Sequence, residues 1–376
     1  MNLDSFLTRP TSFFNNGMIY IDNLFSRMVA MINELFVIGS AIFFAFILYW
    51  GCRYLPAERW QIMASFPMKK NINGSWSGVN ITYYGFLIAC AHVIAVSVFC
   101  ILMGALSVPL SDLAMLASGL LFLCIIASKV LARVVEKKQN TFTVGGATFV
   151  GIIVAPFIIL MFNAFLDNPI PVLPVMAALA VAYSIGEGLG RLACLSFGCC
   201  YGQPLSKIHP FLARCLKNVS ISFDGMTKKV SYEADLEGVP VVPVQAMTAI
   251  LYVFIGLLGV YLFLNEKYDG ALILSIIVTQ GWRFFSEMLR ADYRGQGKIT
   301  AYQWMSIIAM LFAIVLSANI PQALQNKPDL LKGLMQLWNP AWLILIQVLW
   351  LTVFFYLGRS RVTHSTIAID IRLDMI

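Results

Sequence analysis

Two segments of this sequence place arginine and glutamate one helical turn apart inside otherwise apolar stretches. In Ser184-Ile-Gly-Glu187-Gly-Leu-Gly-Arg191 the two charges are four residues apart. In Arg283-Phe-Phe-Ser-Glu287-Met-Leu-Arg290 three charges recur at i, i+4 and i+7. On a helix each set falls on one face. A charged side chain at the centre of a membrane span costs about 2.5–3.5 kcal/mol on insertion scales, so it calls for a partner or a task. A single strip can close on itself as an Arg–Glu pair. Two strips in one chain offer more, because Arg191 and Arg283 together would form a paired guanidinium clamp suited to bidentate hydrogen bonding of a phosphate. In lipid, the abundant phosphate is a phospholipid head group.

Three further features bear on chemistry. Gly186, Gly188 and Gly190 alternate with larger residues and leave backbone open to a helix or a ligand. Gly198-Cys199-Cys200-Tyr201-Gly202 closes the same apolar run. With no second Cys/His pair at ligand spacing nearby, packing beside the glycines is the expected role of these cysteines, and no metal or cofactor is expected. His92 lies within a span and could accept a proton, although a hydrogen-bonded structural histidine is the commoner role. Eight residues after Tyr84, it could share a cavity with it.

Apolar helices must position these groups. Of the 376 residues 59% are hydrophobic and 12% charged, too apolar for a soluble globule of this length. Runs long enough to cross a hydrocarbon layer of about 30 Å fall near 31–51, 82–106, 112–133, 144–166, 172–198, 244–264, 269–289, 301–318 and 340–358. The expected fold is an all-α polytopic membrane protein of about nine transmembrane helices. A small extramembrane β-hairpin is expected in the 201–241 insert, where VSISFDGMTKKVSYEADLEGV alternates around a DGM turn. The expected domains are 1–79, an N-terminal extension with one extra span; 80–320, a seven-span core; and 321–376, a linker with an extra C-terminal span and tail.

The eight cysteines are scattered, four within apolar runs, and form no disulfide framework. The N-terminus lacks the pattern of a cleaved signal peptide. The net charge of +7 comes without basic helices or aromatic-basic repeats, so membrane lipid, not nucleic acid, is the expected partner. Arg53, Arg59, Lys69, Lys70, Arg133, Lys137, Lys138, the 201–241 insert, Arg290, Arg294 and Lys298 crowd into alternate loops. The positive-inside rule would put these loops in the cytoplasm.

Read in order, these elements resemble the prolipoprotein diacylglyceryl transferase family of bacterial membrane enzymes. The chain looks like a divergent member with a Cys-Cys-Tyr-Gly signature. Tyr83-Tyr84-Gly85, Gly145-Gly146, Gly186-Glu-Gly188-Leu-Gly190-Arg191 running on to Gly198 and Gly202, Pro243-Val-Gln245, the Arg283 to Arg290 element, and Gln303 with Ser306 carry the resemblance. It implies transfer of a diacylglyceryl group from phosphatidylglycerol to the cysteine thiol of a prolipoprotein, or a related acceptor, in the bacterial inner membrane. The alternative is a non-catalytic member that binds phospholipid or a signal peptide within an envelope assembly. Arg191, Arg283, Glu287 and Tyr84 would then be catalytic, with Glu287 orienting Arg283. Gly145, Gly146, Gly186, Gly188, Gly190, Gly202, Gln245, Arg290 and Gln303 would bind substrate, with lipid approaching the backbone at 186–190. The family histidine before the double glycine, a plausible base, is Val144 here; its asparagine and glutamate are Cys194 and Cys199, and its tyrosine before the second arginine is Thr279. The resemblance also implies the opposite orientation, with the basic loops facing the periplasm.

Overall fold

In a computed structural model the described residues are 11–72, 76–135, 144–166, 169–292, 299–320 and 327–360. The first helix, α1 (Thr11–Tyr54), leads into a β-hairpin of β1 (Ile62–Lys70) and β2 (Trp76–Thr82). Four long helices follow: α2 (Tyr83–Ala105), α3 (Leu110–Val135), α4 (Val144–Asn163) and α5 (Val172–Phe197). An irregular insert carries the short helices α6 (Pro210–Leu216) and α7 (Lys229–Ala234). The chain then forms α8 (Val244–Leu264), α9 (Tyr268–Ser286), α10 (Ala301–Asn319), the short α11 (Leu330–Leu337), α12 (Pro340–Leu357) and the two-residue strand β3 (Arg359–Ser360).

Eight of these helices are long and apolar enough to span a membrane. The ninth, α9, is less apolar because its last turns hold Thr279, Gln280 and Arg283, all buried. It packs along α5, α8 and α10, and its end meets the start of α8 at the site below, so the described residues hold eight candidate spans where about nine were expected. The chain is a multi-pass membrane protein. Its backbone hydrogen bonds close within each helix, as lipid demands.

The bundle is layered by polarity. Among the candidate spans α5 is the most buried and α12 the least. Small residues fill the face-to-face contacts of α5: Gly186 abuts Ala95 and Gly190 faces Ile88 of α2, while Gly188 meets Val253 and the Ala249 carbonyl of α8. Close backbone approach of this kind drives helix association in lipid, where apolar burial alone gives no preference. Neighbouring helices thus crowd Gly186 and Gly188, while Gly190 meets Ile88 only at ordinary van der Waals distance.

A hairpin exists, but not in the insert. β1 and β2 pair antiparallel within the basic loop after α1, and β3 adds to β2. Thr82 caps α2 through Gly85 N and donates its hydroxyl to Gly358 O, which joins the end of α12 to the start of α2. In 201–241 the alternating residues build no hairpin. Asp224-Gly225 makes a turn with Gly225 at φ 113°, and the following residues form α7, which stops at Asp235 in the left-handed region. The reason is tertiary. The Gln61 amide donates to Thr227 O and the Thr227 hydroxyl donates to Gln61 Oε1, both at 2.7 Å, and the Lys228 ammonium donates to Leu55 O (3.1 Å) and Ser196 O (2.8 Å). The insert is thus fastened over the ends of α1 and α5. Lys137, Lys138, Arg294 and Lys298 lie outside the described residues.

Candidate active site

At the end of the bundle where α5 and α9 finish and α8 begins, a small cleft is lined by Arg191, Gln245, Arg283, Glu287 and Arg290, together with Cys200, Val244, Thr248, Tyr252 and Ser286. Sequence separation among the lining residues reaches almost a hundred positions, so the helix packing alone assembles the charge.

Each arginine is held differently. Arg191 pairs with Glu187 one turn back on α5, as their spacing predicts, while its buried Nε has no hydrogen-bond partner. Arg283 stacks over the Tyr302 ring at 5.9 Å from the centroid and presses its guanidinium onto Gly145. Any Cβ at position 145 would overlap that guanidinium, which gives the double glycine its physical purpose. The Arg283 Nη1 is buried and also without a hydrogen-bond partner. Orphaned buried donors of this kind are costly and rare in native structures, and two of them beside one cleft point to an anionic ligand. Arg290 lies on the rim, joined to Asp292 by two hydrogen bonds of 2.8 Å, with its backbone bridged to Gly202.

Other expected site residues take supporting places. Gln245 lines the cleft and donates to Cys199 O, which leaves its buried Oε1 unpartnered. Tyr84 stacks against Phe197 at 5.6 Å and counts Arg191 and the cysteines among its charged neighbours, but it sits behind the cleft. Gly146 is buried. Gly202 packs on Val242, where a Cβ would collide with the backbone, so its lack of a side chain shapes the loop. Gln303 is likewise structural: its side chain completes the capping box with Thr300 and donates to Phe284 O, tying α10 to α9. His92 is exposed on the outer face of α2 with Nδ1 against Ile88 O, so it shares no cavity with Tyr84. Val144 begins α4, and its side chain lies outside those described.

Sequence reasoning missed the α8 wall. Tyr252 reaches across to Thr279 O at 2.5 Å, and Thr248 accepts from Trp282 Nε1 at 2.8 Å. The Tyr252 hydroxyl thus meets α9 at Thr279, where the resemblance led one to expect a tyrosine. The one available signal was the i, i+3, i+7 spacing of Gln245, Thr248 and Tyr252 on an otherwise apolar helix. It also missed the cysteine cluster: the thiols of Cys194, Cys199 and Cys200 lie within 4.8 Å of one another. Within it, hydrogen bonds from Cys194 and then Cys199 hold the Cys200 thiol well below the ordinary cysteine range, against the effect of burial, and Arg290 and Arg191 add to this.

The family model for prolipoprotein diacylglyceryl transferase matches residues 73–318, well over half of the chain. The chain belongs to the prolipoprotein diacylglyceryl transferase family. A relative, phosphatidylglycerol–prolipoprotein diacylglyceryl transferase 2 of Clostridium perfringens (strain 13 / Type A), is 28% identical over 153 residues, 40% of this chain and 54% of the relative. The match therefore spans about half of that relative's length. Every residue of the cleft falls inside the family-matched segment, whereas α1 up to Tyr54 and the α11–α12 end fall outside it.

Proposed function

We propose that this family member is a membrane transferase that moves the diacylglyceryl group of phosphatidylglycerol to the cysteine thiol of a prolipoprotein, or a related acceptor, in the bacterial inner membrane. The observation that carries the reading is the convergence of Arg191 and Arg283, each with an unpartnered buried nitrogen, on one cleft. The acceptor sulfur attacks the glyceryl carbon that bears the phosphate ester. The carbon–oxygen bond breaks, a carbon–sulfur bond forms, and glycerol phosphate departs with the electron pair. Negative charge concentrates on the phosphate oxygens as the bond breaks, and preorganised guanidinium donors in a water-poor site stabilise that charge. Arg290 on the rim and the Gln245 amide supply further polar contacts to the glycerol end, and Glu287 supports the arginine strip from its own helix. Gly145 and Gly146 let Arg283 lie flat against α4.

The test supplies purified protein with labelled phosphatidylglycerol and a lipobox peptide. The expected result is release of glycerol phosphate together with a lipid-modified peptide, both lost in Arg191→Ala and Arg283→Ala. Phospholipid that binds without any arginine-dependent turnover would overturn the transferase reading in favour of a binding role.

A further inference from the structure

The acceptor thiol needs activation, and among the described residues neither a histidine nor a lysine lines the cleft. What stands at its edge is sulfur. Cys194 closes the last turn of α5, Gly198 reverses the chain at φ 74°, and Cys200 is held at φ 58°, a left-handed conformation that a side chain without special cause avoids. These bends carry the three sulfurs to within 4.8 Å of one another, and Gln245 fixes the loop by its bond to Cys199 O. Four thiolates around a zinc-class ion sit about 3.8 Å apart, given zinc–sulfur bonds of about 2.3 Å. The cluster is therefore within roughly an ångström of ligand geometry. Three ligands leave a tetrahedral ion one open position, the arrangement of a catalytic and not a structural site. Cys200 also lines the cleft that holds Arg191 and Arg283, so an ion on these sulfurs would lie beside the phosphate clamp. An ion of charge 2+ on three thiolates would carry a net negative charge, and Arg191 and Arg290, each also paired with a carboxylate, line the same cleft as Cys200.

We propose that Cys194, Cys199 and Cys200 bind one zinc-class divalent ion whose open position takes the acceptor thiol and presents it as a thiolate to the lipid. This rests on the transferase reading for the role of the ion, though not for its binding. In the step, the acceptor R–SH gives its proton to solvent as its sulfur binds the ion. The bound sulfur then attacks the glyceryl carbon, the carbon–oxygen bond to phosphate breaks, and glycerol phosphate leaves as an anion between Arg191 and Arg283. No oxidant or reductant is required. A metal-bound thiolate also needs no general base, so a side chain at position 144 that cannot accept a proton is no obstacle.

The test uses the full chain in detergent, reduced, stripped with chelator and titrated with Cd²⁺, with sulfur-to-cadmium charge-transfer absorption and bound cadmium as readouts. One equivalent per chain is expected, with at least tenfold weaker binding in Cys194→Ser, Cys199→Ser and Cys200→Ser and unchanged binding in Cys52→Ser and Cys215→Ser. Should a serine variant fail to fold, X-ray absorption on the cadmium-loaded wild type decides: three sulfurs from the protein support the site, and fewer overturn it. A reduced wild type without a saturable band overturns it, as does a band that survives in all three variants. Cadmium held by three sulfurs in a protein that performs no lipid transfer supports the ion site and removes the transferase reading. Arg191-dependent transfer that persists in chelated wild type and in Cys200→Ser leaves the transferase standing and overturns the role of the ion.

Discussion

The two charged strips look alike in sequence, each an arginine and a glutamate four residues apart on a helix, and the tertiary structure treats them as different devices. On α5 the strip closes on itself: Glu187 neutralises Arg191 along its own helix. On α9 the arginine engages other helices, with its guanidinium over Tyr302 of α10 and on the bare backbone of Gly145 at the start of α4. The same i, i+4 spacing therefore serves two arrangements, and the outcome depends on what the neighbouring helices offer. With its buried Nη1 unpartnered and its contacts reaching two other helices, Arg283 is the better placed of the two to receive an anion from outside.

The comparison can be broken at its strongest point first. Glu187→Gln leaves Arg191 buried and unpaired, so it should cost about 3–5 kcal/mol of stability, the usual penalty for removing one partner of a buried pair. Chemical denaturation of the detergent-solubilised protein measures it, and a loss below about 1 kcal/mol would show that the pair does not hold α5 together. Next, Arg283→Ala should lower transfer by about 10²–10³-fold, the size expected for one preorganised donor, with little change in melting temperature. Equal damage to folding and turnover would reduce Arg283 to a structural role. Gly145→Ala sharpens the same point without touching a charge: the new methyl displaces a flexible guanidinium, so about 10²-fold of turnover should go while the fold survives.

Smaller effects test the rest of the comparison. At Gly188→Ala the added methyl meets the Ala249 carbonyl and Val253, not a flexible tip, and should cost about 1–3 kcal/mol of stability with KM unchanged. A shift in KM alone would return this glycine to the binding site. The smallest concerns Lys228, whose burial pulls its pKa down to about 7. The unfolded lysine, near 10.5, keeps its proton over a range where the folded one has shed it, so stability should rise as pH climbs from about 7 to 10.5. The neutral amine still donates to Leu55 O and Ser196 O. Thermal unfolding from pH 6 to 10 should show this slope in the wild type and lose it in Lys228→Met.

Most spans could be read from sequence because length and hydropathy decide them locally, and Arg191, Arg283, Glu287 and Arg290 stood out because a charge in an apolar run is itself a signal, whereas Gln245 came from the family resemblance. The hairpin placement failed for a definite reason. Alternation around Asp224-Gly225 fits a strand pair, but the same residues make more bonds by tying Lys228 and Thr227 down to α1 and α5, and those partners are 166 or more positions away for Gln61 and Leu55. The glycines of 186–190 were visible as open backbone, yet sequence could not say whether a helix or a ligand would fill the space. The pair Cys199-Cys200 was seen as packing because its third sulfur, Cys194, precedes the chain reversal at Gly198, and one-dimensional spacing hides what a left-handed turn brings together.

Sequence alone thus determined that this chain crosses the membrane many times, which family its motifs follow, and which few side chains were too costly to be idle. Hydrophobic length and desolvation act locally, so they can be read one segment at a time. Only the tertiary structure decided which arginine is satisfied by its own helix, which glycines are spent on packing, and that three cysteines meet beside the cleft. Those are contacts between segments, and their free energies exist only once the helices are in place.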